Sequence, residues 1–371
     1  MNKLQKVTKT NNLNEIKQEG KRKSMPPIRL AHIGLGHMHS HQKLDCIMAR
    51  PDLFDVRCIV APEDEDRETP CYAEGLVMYP QIPRRTLEQA LSDDTIQAVF
   101  IETDDWLMNK YAQIALAAGK HVHMDKPGGD DTPAFRKTLS MAKERNLVFQ
   151  MAYMYRYNPA VMHALELIRQ GKLGDILQVD ALMSTEHALW IRKWLKRYQG
   201  GTMHTFGCHM IDLILLCQGM PEQVVPFLKK TGLDGVDVND HDLAVLLYPR
   251  GVSTARTSSF EVNGFGRRQL VICGTEGTLE LKPLETNYFN YMTPMNVSYK
   301  SLTRYQQYED MHESWRIPPM RNRHDGMIEA FAGMVRGEIE NPYSYEYEAQ
   351  VQLVTMAACG YPVNLKEKII L

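Results

Sequence analysis

Ile28-Arg29-Leu30-Ala31-His32-Ile33-Gly34-Leu35-Gly36-His37-Met38-His39 reads as a short β-strand running straight into a glycine-rich turn. Gly34 permits a tight turn and Gly36 lets the backbone approach a phosphate, which would rest on the N-terminus of the following helix. The G-x-G-x-x-G fingerprint is incomplete, because His39 stands where its third glycine is expected. A G-x-G at a first βα turn fits many α/β proteins, so its meaning depends on the residues downstream of it.

Tyr111-Ala112-Gln113-Ile114-Ala115-Leu116-Ala117-Ala118 is a helix-like apolar run, and Gly119 fits its C-cap. Lys120-His121-Val122-His123-Met124-Asp125-Lys126-Pro127 then reads as a buried strand, ended by a proline that cannot donate to the ladder. Lys126 therefore falls at the carboxyl end of a strand, where open α/β sheets keep their ligands. A strand-end lysine alone is as a rule solvated; the glycine turn upstream is what gives it a context.

Between these two stretches strands and helices alternate at the pace of βαβ units. Val56 to Val60 reads as the second strand, Thr86 to Leu91 as a helix capped near Thr86, Ala98 to Thr103 as a further strand, and Leu147 to Ala152 as another. The pattern predicts an α/β fold with an N-terminal doubly wound parallel sheet. An acid should close the second strand and take the adenosine ribose, but Ala61 and Pro62 occupy its end. Glu63 or Asp64 just beyond could serve, although such an acidic run also reads as a solvated loop.

After residue 151 the pattern becomes β-rich, with segments at Ile176 to Leu182, Asp242 to Tyr248, Val252 to Thr257 and Arg268 to Cys273, the last turning through Gly274-Thr275-Glu276-Gly277 as a hairpin would. A second, α+β domain with a large open, mostly antiparallel sheet is expected. The expected organisation is a disordered tail over 1–26, a dinucleotide-binding domain over 27–150, and a substrate-binding and oligomerisation domain over 151–371.

Composition bounds the rest. With 371 residues, 44% of them hydrophobic, the chain can bury the cores of two domains. A formal net charge of -2 gives no electrostatic footprint for nucleic acid. Seven cysteines without a C-x-x-C pair point to reduced thiols in a cytoplasmic setting and away from a disulfide scaffold or structural zinc, and no metal is expected. The polar, lysine-rich stretch before Ser24 lacks the apolar region of a secretory signal, and Glu15 and Glu19 disfavour a mitochondrial presequence. No run of about 18 apolar residues suggests a membrane span.

A third constellation is Gly200-Gly201-Thr202-Met203-His204-Thr205-Phe206-Gly207-Cys208-His209-Met210-Ile211-Asp212, where a buried helix starts near Met210. His209 falls about one helical turn from Thr205 and within a turn of Asp212. A buried histidine beside a cleft can exchange a proton near neutral pH, and it can equally be a satisfied core residue.

Taken together, these motifs resemble the glucose-fructose oxidoreductase / inositol dehydrogenase (Gfo/Idh/MocA) family. The resemblance runs from about Ile28 to about Leu281, through the glycine turn, Asp125-Lys126-Pro127 (the family's Glu-Lys-Pro with a shorter acid), Tyr153 to Pro159, Gly171 to Gly174, Gly200 to Asp212 and Gly274 to Thr278. It implies NAD(P)-dependent oxidation or reduction of a sugar, cyclitol or related polyol, with NAD favoured over NADP, in a homodimer or homotetramer. By the same resemblance Lys126 and His209 are catalytic, with Thr205 beside them. Gly34, Gly36, His37, Met38, Glu63, Thr103, Asp125 and Lys126 hold the cofactor. Tyr153, Arg156, His204 and Asp212 face the substrate. His187, Trp190, Arg192 and Trp194 form an aromatic and polar cluster that fits sugar stacking or an interfacial loop.

Three departures bear on the chemistry. Thr205 stands where relatives commonly carry an aspartate four residues before the histidine, and a threonine cannot raise the histidine's basicity as a carboxylate would. The Thr-Pro-Asn loop is altered to Thr103-Asp104-Asp105, and His39 replaces the third glycine. Two other readings stay open. One is a glycoside hydrolase or lyase that uses NAD transiently, with Tyr153, His204 or His209 as base; the other is a non-catalytic sensor of a dinucleotide or sugar.

Overall fold

The computed structural model describes residues 25–285, 292–300 and 312–371, so most of the predicted N-terminal tail lies outside the described residues. Five strands, β1 (Ile28–Ile33), β2 (Phe54–Val60), β3 (Ala98–Ile101), β4 (His121–Met124) and β5 (Phe149–Met151), form one parallel sheet in the order β2-β1-β3-β4-β5. Strands β3, β4 and β5 are short and nearly wholly buried, as a parallel sheet covered on both faces requires. The strand expected to reach Thr103 ends at Ile101, freeing Glu102 to Asp104 for a loop.

Helices α1 (Ser40–Met48), α2 (Pro70–Met78), α3 (Leu87–Leu91), α4 (Asp105–Ala117) and α5 (Thr132–Glu144) fill the connections. The Thr86 cap holds as a full capping box: its hydroxyl accepts from the Gln89 N–H while the Gln89 side chain accepts from the Thr86 N–H. Gly119 ends α4's turn in the left-handed region at φ 75°.

Past β5 come α6 (Pro159–Arg169), β6 (Ile176–Ser184), α7 (Leu189–Leu195), α8 (Cys208–Gln218), β7 (Gln223–Lys229), β8 (His241–Tyr248), β9 (Gly251–Ser258), α9 (Gly264–Arg267), β10 (Gln269–Gly274), β11 (Gly277–Leu281), β12 (Thr293–Tyr299) and β13 (His312–Ile317). The eight strands make a second sheet, β13-β12-β11-β10-β6-β9-β8-β7, antiparallel except between β6 and β9. The predicted hairpin is the antiparallel β10–β11 pair. In β8, Asp242, Ala244 and Leu246 are buried while the alternate residues are half-buried or exposed, the period of a sheet with one covered face.

Two last helices tie the sheets together. In α10 (Asp325–Val335), Ile328, Phe331 and Ala332 pack with Ile28, Leu30 and Phe100 of the parallel sheet. The second, α11 (Tyr345–Ala358), is buried along most of its length and lies against α5 and α8. Among the described residues no helix is long and apolar enough to cross a membrane, and the seven cysteines are free.

Candidate active site

The glycine turn is built as its sequence demands. Gly34 has φ 100°, and a Cβ there would lie 2.5 Å from the Thr103 nitrogen, so no other residue fits. The Leu35 N–H donates to both oxygens of Glu65, at 2.9 and 3.1 Å, and the Gly36 N–H donates to one at 2.9 Å. The carboxyl that contacts the turn is that of Glu65, whereas Glu63 is exposed and Asp64 is tied to Lys110 and Tyr111 on α4. Burial pushes the Glu65 carboxyl up to about 8, against the pull of the two N–H donors. Glu65 lies beyond Glu63 and Asp64 in a run of four acids, and no local pattern separates it from its neighbours. Only the path of the loop does.

Beneath the turn lies a buried charge cluster. His39 and Lys43 are one helical turn apart and reach across the end of β3 to Asp125 at the end of β4. The Lys43 ammonium bridges Glu102 and Asp125 at 2.6 Å each. His37 stands 3.3 Å from Asp125, 3.6 Å from Glu102 and 3.5 Å from Asp105. Burial opposes its charge, yet Asp125 and the other carboxylates raise it to about 9. Asp125 is held well below the usual carboxylate range, despite burial, by His37 and Lys43. Burial lowers His39 to about 3 although Asp125 is 3.1 Å away. Thr103 is buried against Gly34, and Met38 is half-buried at the turn.

Lys126 is fully buried, and its ammonium donates to the Thr205 carbonyl at 2.9 Å. The chain entering α8 makes this contact available. Met203–Gly207 is wound as a single wide π turn, an irregularity that often marks functional sites. Gly201 permits the close approach before it: a Cβ there would lie 1.9 Å from the Asn239 carbonyl oxygen. His209 follows at 2% exposure, with Tyr153 and Tyr155 edge-on at 5.7 and 5.3 Å. Burial, then Lys126 and Arg323, hold its imidazole neutral, well below the usual range. Nδ1 of His209 and Oγ1 of Thr205 are buried without a hydrogen-bond partner among the described residues, as groups awaiting a polar ligand would be.

Other expected residues are spent inside the protein. Arg156 is fully enclosed, paired with Asp212 at 2.8 Å and with Glu348 of α11 at 2.6 Å, and the Tyr153, Tyr343 and Tyr347 rings pack on it. Arg156 and Asp212, expected to touch substrate, satisfy each other because a buried guanidinium needs compensating charge. His204 is stacked on Tyr198 at 4.6 Å, and burial lowers it to about 3. The aromatic cluster divides: His187 stacks on Phe206 and Trp194 meets His37 edge-on, whereas Trp190 is 36% exposed and Arg192 pairs with Asp234. Sequence reading also missed a polar group beside His209, in which the Tyr155 hydroxyl donates to Glu285 at 2.5 Å and Arg268 approaches both.

Comparison with known proteins places this geometry. Residues 28–153 match the family model described as an oxidoreductase family with an NAD-binding Rossmann fold, and residues 161–280 match the GFO/IDH/MocA C-terminal domain. An uncharacterised oxidoreductase of Schizosaccharomyces pombe is 23% identical over 274 residues, 72% of each chain. The trans-1,2-dihydrobenzene-1,2-diol dehydrogenase of Bos taurus is 26% identical over 58% of this chain and 69% of its own. A D-xylose 1-dehydrogenase (NADP(+)) of Haloferax volcanii is 28% identical over 53% of this chain and 59% of its own. The fold is shared with a 3-ketoreductase from Actinomadura kijaniata solved with NADP and TDP-benzene, at TM-score 0.70, 20% identity, and 89% and 96% coverage. It is also shared with the Yersinia pestis YPO2259 structure, at TM-score 0.73, 18% identity, and 94% and 100% coverage.

Proposed function

Because the chain belongs to the GFO/IDH/MocA family of NAD(P)-binding oxidoreductases, we propose that it moves a hydride between NAD or NADP and a carbinol carbon of a sugar, cyclitol or related polyol. Residues 27–150 hold the dinucleotide and 151–371 supply the substrate side. The observation that carries this reading is the meeting of Lys126 with the Thr205 to His209 segment, where an ammonium lies with a hydroxyl and a neutral imidazole's Nδ1 that have no hydrogen-bond partner among the described residues.

The fit to a dinucleotide rests on the turn. The Leu35 and Gly36 N–H groups donate to the Glu65 carboxyl in this structure, and a phosphate would take those donors in its place, leaving Glu65 for the ribose. The Glu65 carboxyl, kept neutral by burial, hydrogen-bonds a ribose hydroxyl, and the exposed acids Glu63 and Asp64 in the same loop disfavour a 2′-phosphate, which favours NAD. When bound, the nicotinamide supplies the hydride acceptor.

The chain's own groups then act on the substrate hydroxyl. Lys126, held by the Thr205 carbonyl, donates to the hydroxyl oxygen and orients it. Neutral His209 takes the hydroxyl proton as the carbon gives up its hydride; in the reverse direction it returns that proton to the alkoxide. Thr205 offers a hydroxyl to the substrate but no charge to His209. Lys126 and Thr205 are fully buried and His209 is 2% exposed, so reactants reach them through a local opening of the surrounding structure. The uncovered face of the eight-stranded sheet, with Val252 and Phe227 about half exposed, is the surface through which copies would pair as a homodimer or homotetramer.

Calorimetric titration with NAD, NADH, NADP and NADPH tests the cofactor half, and a flat response to all four would refute the proposal. Absorbance of the reduced nicotinamide during a screen of sugars and cyclitols tests the rest. Release of product from a glycoside with no net reduced cofactor would replace the dehydrogenase by the transient-oxidation reaction.

A further inference from the structure

We propose that His37, His39 and Asp125 form a binding site for one divalent cation of the zinc class, next to the reaction centre. Nδ1 of His37 and Nδ1 of His39 stand 3.3 and 3.1 Å from Oδ2 of Asp125, and the three ligand atoms lie within 4.8 Å of one another. A tetrahedral ion with donors at about 2.0–2.1 Å sets those donors roughly 3.3 Å apart. Both histidine–carboxylate edges already have that length, so only the edge between the two histidines must shorten.

The surroundings fit the same reading. A ligating histidine usually donates its other ring N–H to a carboxylate, and Nε2 of His37 faces Oδ1 of Asp105 at 3.5 Å. The Lys126 N–H donates to Oδ1 of Asp125 at 2.6 Å, which leaves Oδ2 as the ligand oxygen. His324, 1% exposed, has both ring nitrogens without a hydrogen-bond partner among the described residues, and its ring lies 5.8 Å from that of His39. It is a further buried nitrogen donor beside the site. Lys43 is the one lysine or arginine paired with Asp125 and Glu102 among the described residues, and Asp105 adds a third carboxylate beside His37. Lys43 shares Oδ2 of Asp125 with the proposed ion and keeps Glu102 when the ion binds.

Two imidazoles and one carboxylate suit zinc or cobalt rather than magnesium or calcium, which take oxygen ligands. The site also accounts for two departures in the sequence. The third glycine of the turn would bring no ligand atom to this place, and a glutamate at position 125 would carry its oxygens one methylene further. Sequence reading looked to cysteine pairs and expected no metal; the ligands come from β-strand ends separated by β3 and converge only in the fold.

The test uses the untagged full chain, stripped with a chelator and titrated with cobalt(II). One equivalent should bind, with the visible absorption of a four-coordinate ion. His39→Gln should weaken binding by about 100-fold or more and abolish that spectrum, while circular dichroism stays that of the parent. Lys43→Met should tighten binding, because it removes the ammonium competing for Asp125. Absence of bound cobalt in the parent chain, or equal cobalt affinity in the parent and His39→Gln, would overturn the proposal. So would weaker binding in a folded Lys43→Met. Dinucleotide titration of the stripped chain reads separately, so failure of the metal site leaves the oxidoreductase reading to its own test.

Discussion

Replacing Arg156 with methionine should destabilise the fold by about 3–5 kcal/mol and leave dinucleotide affinity within about twofold. The guanidinium is 2% exposed. It donates to Asp212 from Nε at 3.0 Å and from Nη2 at 2.8 Å, and to Glu348 from Nη1 and Nη2 at 2.6 and 2.9 Å. Three tyrosine rings lie 4.3 to 5.2 Å from its Cζ. One side chain therefore joins the short turn after β5 to α8 and α11. Methionine keeps much of the volume but leaves two carboxylates, 1% and 2% exposed, without a cation. Breaking a buried pair from one side costs about 3–5 kcal/mol, and the methionine thioether keeps contact with the rings.

The sign of the pH dependence comes from the same geometry. Burial already raises Glu348, and without Arg156 it should bind a proton that the unfolded chain releases. The variant's stability should then fall as pH rises from 5 to 8, and its gap to the parent should widen. Urea denaturation followed by circular dichroism at both pH values measures this. Arg156→Lys should recover only part of the loss, since an ammonium cannot make two bidentate pairs. A loss below about 1 kcal/mol at pH 8, or a gap that narrows with pH, would refute the clamp. A stable variant that binds cofactor but raises the substrate KM at least tenfold would put Arg156 in the substrate path.

Lys126→Met should lower kcat at least about 1000-fold, read by turnover; full activity would remove Lys126 from the mechanism. Glu65 is held up at about 8 in the fold against 4.5 ordinarily. The folded chain keeps a proton there that the unfolded chain releases, so this contribution is complete below pH 4.5 and lost as pH rises through 8, by at most about 4–5 kcal/mol. Glu65→Gln should flatten that part of the stability profile, and an unchanged slope would contradict the burial argument. Arg197 pairs with Asp66 and stands 3.9 Å from Asp104, linking the segment after α7 to the loops over the glycine turn. Arg197→Ala should speed NADH association several-fold in stopped-flow with under about 1 kcal/mol of stability lost; slower association would show that Arg197 guides the cofactor in instead.

The parts of this protein that local chemistry dictates were legible in its sequence. Gly34 at φ 100°, the Thr86 to Gln89 capping box, the Gly119 helix end and the hairpin at Gly274 to Gly277 each depend on a few adjacent residues. So does the alternation that made a parallel sheet followed by an antiparallel one. Lys126 was placed at its strand end by Pro127 alone. The family resemblance drawn from these ordered motifs matches both family models.

Partners far apart in the chain were not legible. Glu65 reaches the glycine turn across 30 residues, His39 meets Asp125 across 86, and Arg156 meets Glu348 across 192. Nothing in the run Glu63 to Asp66 marks which acid folds inward, and Arg156 in an aromatic turn reads the same whether it faces substrate or two buried carboxylates. Sequence by itself determined which elements form and in what order, because backbone conformation and hydrophobic period are short-range properties. Which polar groups are exposed, which are compensated and which stand ready for a ligand was decided by tertiary packing, because burial and charge pairing depend on neighbours brought together only by the fold.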